Sequence, residues 1–220
     1  MSKSIKAVIF DLDGTLIDTA GEIATALDRT FTELGKPLLP ASEVRDLIGR
    51  GVPSLVERAL AKVGADGFAL GHAVERFEAH YAQTVGTAAV VFPGVRAGLE
   101  ALQSAGYAMS VVTNKPRYFT EQLLEGLGVG AFFSAIVAGD DGIRRKPHGD
   151  MLVAACERMD STPPKTLMLG DSDNDVIAAR AAGCPVWCVP YGYNEGRPAE
   201  ELACDRLVAD VDEAARLLLA

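Results

Sequence analysis

The sequence has no long apolar run, few cysteines and histidines, and no cluster of basic residues. A membrane-spanning helix requires roughly 20 consecutive apolar residues, so a transmembrane protein is not expected. The opening MSKSIKAVIFDLDG also lacks the basic region and the long apolar stretch of a secretory signal. We therefore expect a cytoplasmic protein that has no membrane partner.

The four cysteines form no CxxC pair and have no zinc-type spacing with the three histidines. Buried or unreactive thiols in a reducing compartment are the expected state. The formal net charge of −9 would repel a polyanion at long range, so nucleic acid is not an expected partner. A small-molecule phosphate ester remains compatible, because a bound divalent cation can invert the local field.

Short apolar runs alternate with segments of helical periodicity, which is typical of parallel strands joined by crossover helices. The predicted strands are 6–10, 108–113, 134–139, 166–170 and 185–189, with a weaker edge strand at 207–211. The predicted helices are 94–105, 116–127, 148–159, 173–182 and 211–219, and Gly106, Gly128 and Gly183 are predicted to end three of them in the αL conformation. The pattern predicts an α/β fold with a doubly wound, Rossmann-like parallel sheet.

One segment interrupts this alternation. From about residue 19 to residue 86 no strand-like run appears, and the apolar spacing is helical throughout. A parallel crossover does not need some 70 residues, so we predict an inserted α-helical cap subdomain. The predicted division is a catalytic core of residues 1–17 and 87–220 and a helical cap of residues 18–86.

Polar side chains follow several predicted strands at the point where each strand ends, which is where open parallel sheets bind ligands. The candidates are Asp11, Asp13, Thr113, Asn114, Asp171 and Asp175, together with Lys146 before the fourth predicted strand. Clustered carboxylates repel one another unless a cation lies among them. Oxygen ligands favour a hard ion, so the sequence predicts Mg²⁺ with a phosphate oxygen completing its coordination.

The strings DLDGTLIDT, VVTNKP, KPHGD and GDSDND resemble, in order, the four motifs of the haloacid dehalogenase-like superfamily. The resemblance implies that Asp11 attacks phosphorus and forms an aspartyl-phosphate. It implies that Asp13 protonates the leaving oxygen and then deprotonates the attacking water. Because a halide leaving group needs no acid, an acid at position 13 favours phosphoryl transfer over dehalogenation.

The same resemblance implies the roles of the remaining candidates. Asp11, the backbone carbonyl of Asp13, and Asp171 are implied as the Mg²⁺ ligands, and Asp175 is implied to support them from behind. Thr113 and the Asn114 backbone are implied to bind phosphate, and Lys146 to bridge phosphate and nucleophile.

A finer resemblance concerns the substrate. The strings RDLIGRGVPSLVERAL, GDDGIRRKPHGD and YGYNEG are similar to those of phosphoglycolate phosphatases. This similarity implies hydrolysis of 2-phosphoglycolate to glycolate and phosphate. The chain is expected to be a monomer or a homodimer. The similarity also implies that a Gly49–Gly51 turn lies over the site, where Arg50 or backbone N–H groups bind the substrate's carboxylate.

Other functions stay open at this point. A phosphatase for pyrophosphate or another small phosphomonoester fits the same motifs, as does a sugar phosphomutase of the same superfamily. A receiver domain is disfavoured by the DxDGT turn and the helical insertion. A phosphonate hydrolase would need a cap lysine, Lys36 or Lys62, at the site.

Asp173 and Asn174 are interpreted as N-cap and first-turn residues of a helix, and the loop 191–193 as a packed turn.

Overall fold

A parallel β-sheet forms the centre of the protein, whose computed structural model describes residues 5–220. The strands are β1 (Ala7–Phe10), β2 (Ile17–Asp18), β3 (Val90–Val91), β4 (Ala108–Val112), β5 (Ala135–Val137), β6 (Thr166–Gly170), β7 (Val186–Cys188) and β8 (Arg206–Leu207). Six of these described strands pair in the order β5-β4-β1-β6-β7-β8, and every neighbouring pair is parallel. The strands β2 and β3 form a separate antiparallel pair.

Helices cover both faces of the sheet and form the insertion. They are α1 (Ala20–Glu33), α2 (Ala41–Arg45), α3 (Val52–Lys62), α4 (Leu70–Thr84), α5 (Val95–Ser104), α6 (Arg117–Gly126), α7 (Asp150–Arg158), α8 (Asp173–Ala182) and α9 (Val211–Leu219). Among residues 5–220, no helix combines the length and the apolar character needed to cross a bilayer.

The two faces of β1 show why its whole run is apolar. Side chains alternate between the faces of a strand. Val8 and Phe10 accordingly pack with residues of α5, α6 and α9, whereas Ala7 and Ile9 pack with residues of α7 and α8. A parallel strand covered by helices on both faces has no face in contact with water, so apolar residues occupy every position. The fold is therefore a doubly wound α/β sheet, which confirms the predicted class.

The helices α1 to α4 pack around an apolar core of their own. In α1, Ile23, Leu27 and Phe31 recur at helical spacing and are buried against residues of α3 and α4. The four helices all fall inside the range 18–86 predicted for the cap; we call them the cap helices. The exact boundary stays a prediction, and residues 1–4 of the predicted core range lie outside the described part of the chain.

The predicted helices are confirmed, with ends within two residues of those observed, and Gly106, Gly128 and Gly183 all have positive φ. The edge strand predicted at 207–211 is wrong in extent, because β8 ends at Leu207. Asp210 instead caps α9, since its side chain accepts a hydrogen bond of 2.8 Å from the Glu213 backbone N–H. The pair β2–β3 was not predicted, because two-residue strands carry no readable periodicity.

Candidate active site

Three neighbouring strands bring the predicted site residues together. Asp11 directly follows β1, Thr113 follows β4 and Asp171 follows β6, and β1 lies between the other two strands in the sheet. Their carboxyl ends therefore meet at one edge, as the general rule for open parallel sheets requires. All three side chains are buried.

A buried carboxylate cluster lies at this edge. Asp11, Asp171 and Asp175 each offer a carboxylate oxygen, and these oxygens lie within 4.8 Å of one another. Asp175 is fixed by the start of α8, because its Oδ2 accepts hydrogen bonds from the backbone N–H groups of Asp171 and Ser172 and from the Ser172 hydroxyl. The helix cap is thus Ser172, which corrects the interpretation of Asp173 as an N-cap residue.

Lys146 neutralises part of this cluster. Its side chain is 1% exposed, and its Nζ lies 2.8 Å from Asp11 Oδ1 and 2.7 Å from Asp175 Oδ1. Burial disfavours the ammonium, but the two carboxylates outweigh that effect, so the pKa of Lys146 lies above its ordinary value. The lysine is therefore charged at neutral pH and forms ion pairs with two of the three aspartates.

The three carboxylates still carry more charge than one ammonium offsets. Burial raises the pKa of Asp11 well above its ordinary value, Lys146 opposes this shift, and the charges of Asp175 and Asp171 add to it. Burial and the charge of Asp175 raise the pKa of Asp171 to about 7. A cation among these oxygens would remove the repulsion, so the cluster can hold a metal ion.

Asp13 lies two residues beyond Asp11 and is held by different groups. Its Oδ1 accepts a hydrogen bond of 2.7 Å from the Thr19 hydroxyl, and its Oδ2 accepts one of 2.9 Å from Lys115 Nζ. The turn between the two aspartates and β2 requires glycine at position 14. There φ is +86°, and a Cβ would lie 2.5 Å from an Asp171 carboxylate oxygen.

Asn114 connects the site to the cap. Its side-chain amide donates 2.9 Å hydrogen bonds to the backbone carbonyls of Gly49 and Lys146. The predicted Gly49–Gly51 turn is thereby held over the site. A cavity lies between this turn and the strand ends; its lining comprises Asp11, Asp13, Ile23, Ile48, Gly49, Gly51, Val52, Leu55, Phe77, Tyr81, Thr113, Asn114 and Lys115.

The structure does not bring Arg50 into this cavity. Its side chain is 52% exposed and pairs with the Glu195 carboxylate through Nε and Nη2, the latter at 2.8 Å. Arg58 also contacts Glu195, at 3.1 Å. The guanidinium of Arg50 therefore ties the cap to the loop that follows β7, and its predicted contact with substrate stays a prediction.

Sequence reasoning missed three residues of the site. Thr15 donates a 2.7 Å hydrogen bond to Asp171 Oδ1, and the Tyr193 backbone N–H donates one of 2.8 Å to Asp171 Oδ2. Lys115, beside Asp13, is the third. Thr15 and Lys115 lie inside the strings DLDGT and VVTNKP, so the motifs themselves marked them. Tyr193 lies in the loop interpreted as a packed turn, and nothing in its sequence neighbourhood indicated a contact with Asp171.

Comparison with known proteins identifies the family of this chain. The family model described as haloacid dehalogenase-like hydrolase matches residues 8–189. A phosphoglycolate phosphatase of Nitrosospira multiformis is 44% identical over 97% of this chain and 96% of its own length. One of Thiobacillus denitrificans is 42% identical with the same coverage. The solved structure of a "predicted phosphoglycolate phosphatase" from Haemophilus somnus 129PT superposes with a TM-score of 0.92 at 28% identity, covering 97% of this chain and 98% of that one. The chain therefore belongs to the haloacid dehalogenase-like hydrolase family.

Proposed function

We propose that this chain hydrolyses 2-phosphoglycolate to glycolate and phosphate. The observation that carries the proposal is the position of Asp11, at the tip of β1 between Lys146 and the cavity, with Asp13 two residues away on the same cavity. Relatives more than 40% identical over nearly the whole chain are named phosphoglycolate phosphatases, which supports the choice of substrate.

The proposed reaction has two displacements at phosphorus. An Asp11 carboxylate oxygen forms a bond to phosphorus, the bond to the bridging oxygen breaks, and Asp13 gives that oxygen a proton, releasing glycolate. Asp13 then takes a proton from water, which attacks the aspartyl-phosphate and releases phosphate and free Asp11. Thr113 and the Asn114 backbone hold the phosphoryl oxygens, and Lys146 offsets their charge beside Asp11.

The donor set fits Mg²⁺. The groups near the nucleophile are buried carboxylate oxygens, with no histidine or cysteine in the cluster identified among residues 5–220. In the proposal, Asp11, Asp171 and the backbone carbonyl of Asp13 hold the ion, and Asp175 holds the Asp171 and Ser172 backbone. When bound, Mg²⁺ supplies positive charge that stabilises the phosphoryl oxygens and lets an anionic nucleophile approach an anionic substrate.

A phosphate-release assay tests the proposal. We expect kcat/KM to be highest for 2-phosphoglycolate in a panel that includes pyrophosphate and other small phosphomonoesters. A higher value for another ester would replace the substrate while keeping the reaction class. Conversion of one sugar phosphate into another with little release of phosphate would identify a phosphomutase and contradict the proposed function.

Metal removal gives a direct prediction. With EDTA in excess, we expect hydrolysis to fall to background, because Asp11, Asp171 and Asp175 are left with one ammonium against three carboxyl groups. Adding Mg²⁺ beyond the chelator should restore the full rate. The measurement is phosphate release at constant ionic strength, with Na⁺ as the control for simple screening. Hydrolysis that persists without a divalent ion would contradict the metal site.

The position of Arg50 gives a second prediction. Because its guanidinium pairs with Glu195 outside the cavity, we expect Arg50→Ala to change KM for 2-phosphoglycolate by less than about fivefold, the scale of an exposed ion pair. Glu195→Gln removes this ion pair together with the Arg58–Glu195 pair and should have an effect at least as large. A much larger rise in KM for Arg50→Ala than for Glu195→Gln would show that the arginine contacts substrate directly, as the sequence resemblance implied.

The proposed location is the cytoplasm. All four cysteines are free thiols, and three of them, Cys156, Cys184 and Cys188, are buried. Free thiols are the usual state of proteins in reducing compartments. Fractionation of cells that express the tagged protein would test this part of the proposal, and recovery with secreted proteins would contradict it.

A further inference from the structure

The basic side chain of Lys115 lies within the cavity beside Asp13, the proposed general acid. Of the residues between 5 and 220 that line the cavity, Lys115 is the one that carries positive charge. Its side chain is 4% exposed, and its Nζ lies 2.9 Å from Asp13 Oδ2 and 5.0 Å from the centroid of the Tyr81 ring. Burying an ammonium is costly unless anionic partners surround it. Asp13 is one such partner, and the buried carboxylate of Glu22, which accepts a 2.8 Å hydrogen bond from the Tyr81 hydroxyl, is a second anionic group nearby.

Two neighbouring cations pair with other groups. Lys146 bonds to Asp11 and Asp175, on the side of the phosphoryl group. Arg50 pairs with Glu195 at the surface. Arg145 is exposed and its guanidinium lies close to Gly51, but it does not line the cavity. A second anionic group of a substrate bound in the cavity would therefore meet Lys115 first. The ammonium has three N–H bonds, and within the described chain one of them is used, toward Asp13.

The connectivity of 2-phosphoglycolate places its carboxylate near this ammonium. The carboxylate is attached to the methylene carbon that bears the bridging oxygen. That oxygen must lie within hydrogen-bond reach of Asp13 if Asp13 protonates it. Since Lys115 Nζ is in contact with Asp13, a group one methylene beyond the bridging oxygen is within reach of Lys115.

We infer that Lys115 binds the carboxylate of the substrate and sets specificity for it, an inference that rests on the proposed function. The ammonium keeps its hydrogen bond to Asp13 while a second N–H bonds to the carboxylate. Tyr81 stacks over the same ammonium, and the rest of the cap wall, including Ile48, Val52 and Leu55, is apolar. A single cation in the cavity lining, with N–H donors left beside its bond to Asp13, matches a small monocarboxylate better than a second phosphate, which needs more donors.

The test compares two substrates of the same chain length, 2-phosphoglycolate and 2-hydroxyethyl phosphate, in which a hydroxymethyl group replaces the carboxylate. In the wild-type enzyme we expect a clear preference in kcat/KM for 2-phosphoglycolate. Lys115→Met should reduce that preference by roughly 10- to 100-fold, the scale of one charged hydrogen bond. Because any effect through Asp13 acts on both substrates, the ratio isolates recognition of the carboxylate. Lys115→Arg keeps the charge and should keep most of the preference.

Lys36→Met is the matched control, since Lys36 also lies over an aromatic ring, Phe68 at 4.8 Å, but does not line the cavity. It should leave the ratio unchanged. Two results would overturn the role of Lys115 and leave the proposed function standing. One is a folded Lys115→Met enzyme that keeps the wild-type preference for 2-phosphoglycolate. The other is a Lys115→Arg enzyme that loses this preference as fully as Lys115→Met does. A wild-type enzyme with equal kcat/KM for 2-hydroxyethyl phosphate and 2-phosphoglycolate would overturn both the role of Lys115 and the choice of 2-phosphoglycolate as preferred substrate, while the phosphatase reaction would stand.

Discussion

Replacing Asp11 by asparagine is expected to abolish hydrolysis of 2-phosphoglycolate, with a loss in kcat/KM on the order of 10⁴-fold or more. The amide is nearly the same size as the carboxylate but does not attack phosphorus. The fold should be retained, because the substitution removes one of three mutually repelling buried carboxyl groups while Lys146 keeps its contact with Asp175. Phosphate release and thermal unfolding would be measured on the same preparation.

Asp66→Asn is a suitable control, since Asp66 is exposed on the cap and outside the cavity. The control should retain the wild-type rate. Mass spectrometry of enzyme quenched during turnover should detect an added phosphoryl group in the wild type and none in Asp11→Asn. Substantial turnover by the asparagine variant, with no reversion to aspartate in its mass spectrum, would remove Asp11 as the nucleophile.

The location of the site followed from the sequence because it depends on strand ends. An apolar run covered on both faces is readable as a parallel strand, and the first polar residue after it lies at the carboxyl edge of the sheet. Asp11, Thr113 and Asp171 each follow such a run, and the structure brings all three together. The doubly wound fold class could be predicted for the same reason, since the apolar periodicity shows strands alternating with helices.

The direction in which long side chains point could not be predicted from the sequence in the same way. Arg50 and Lys115 both lie in motifs that the sequence marked, yet the arginine pairs with Glu195 at the surface and the lysine lies in the cavity. Each choice depends on a partner far away in sequence, Glu195 in one case and Asp13 in the other. Local pattern contains no information about such partners, so side-chain roles at the cavity required the three-dimensional structure.

The cap contacts show the same limit. The Asn114 side chain donates a hydrogen bond to the backbone carbonyl of Gly49, between α2 and α3. The Tyr193 hydroxyl accepts a hydrogen bond from the Thr19 backbone N–H where α1 begins. Both contacts join segments separated by more than 60 residues. Their existence follows from how the cap helices sit on the core, and that placement has no signature in the amphipathic pattern of the helices themselves.

Lys146→Met should destabilise the protein as well as inactivate it. The side chain of Lys146 is 1% exposed and contacts Asp11 and Asp175, and methionine fills a similar volume without charge. Removing the ammonium leaves the buried carboxylates uncompensated, which typically costs about 3–5 kcal/mol in the free energy of unfolding. Urea unfolding in the presence of EDTA would measure this loss.

The metal dependence of the loss distinguishes charge from packing. If the three carboxylates form an ion site, Mg²⁺ replaces part of the missing positive charge, so the variant should be stabilised by Mg²⁺ more than the wild type is. Lys165→Met, at an exposed lysine before β6, should change the free energy of unfolding by no more than about 0.5 kcal/mol. A loss for Lys146→Met below about 1 kcal/mol in EDTA, or one that Mg²⁺ leaves unchanged, would show that Lys146 does not compensate a buried cluster able to bind a cation.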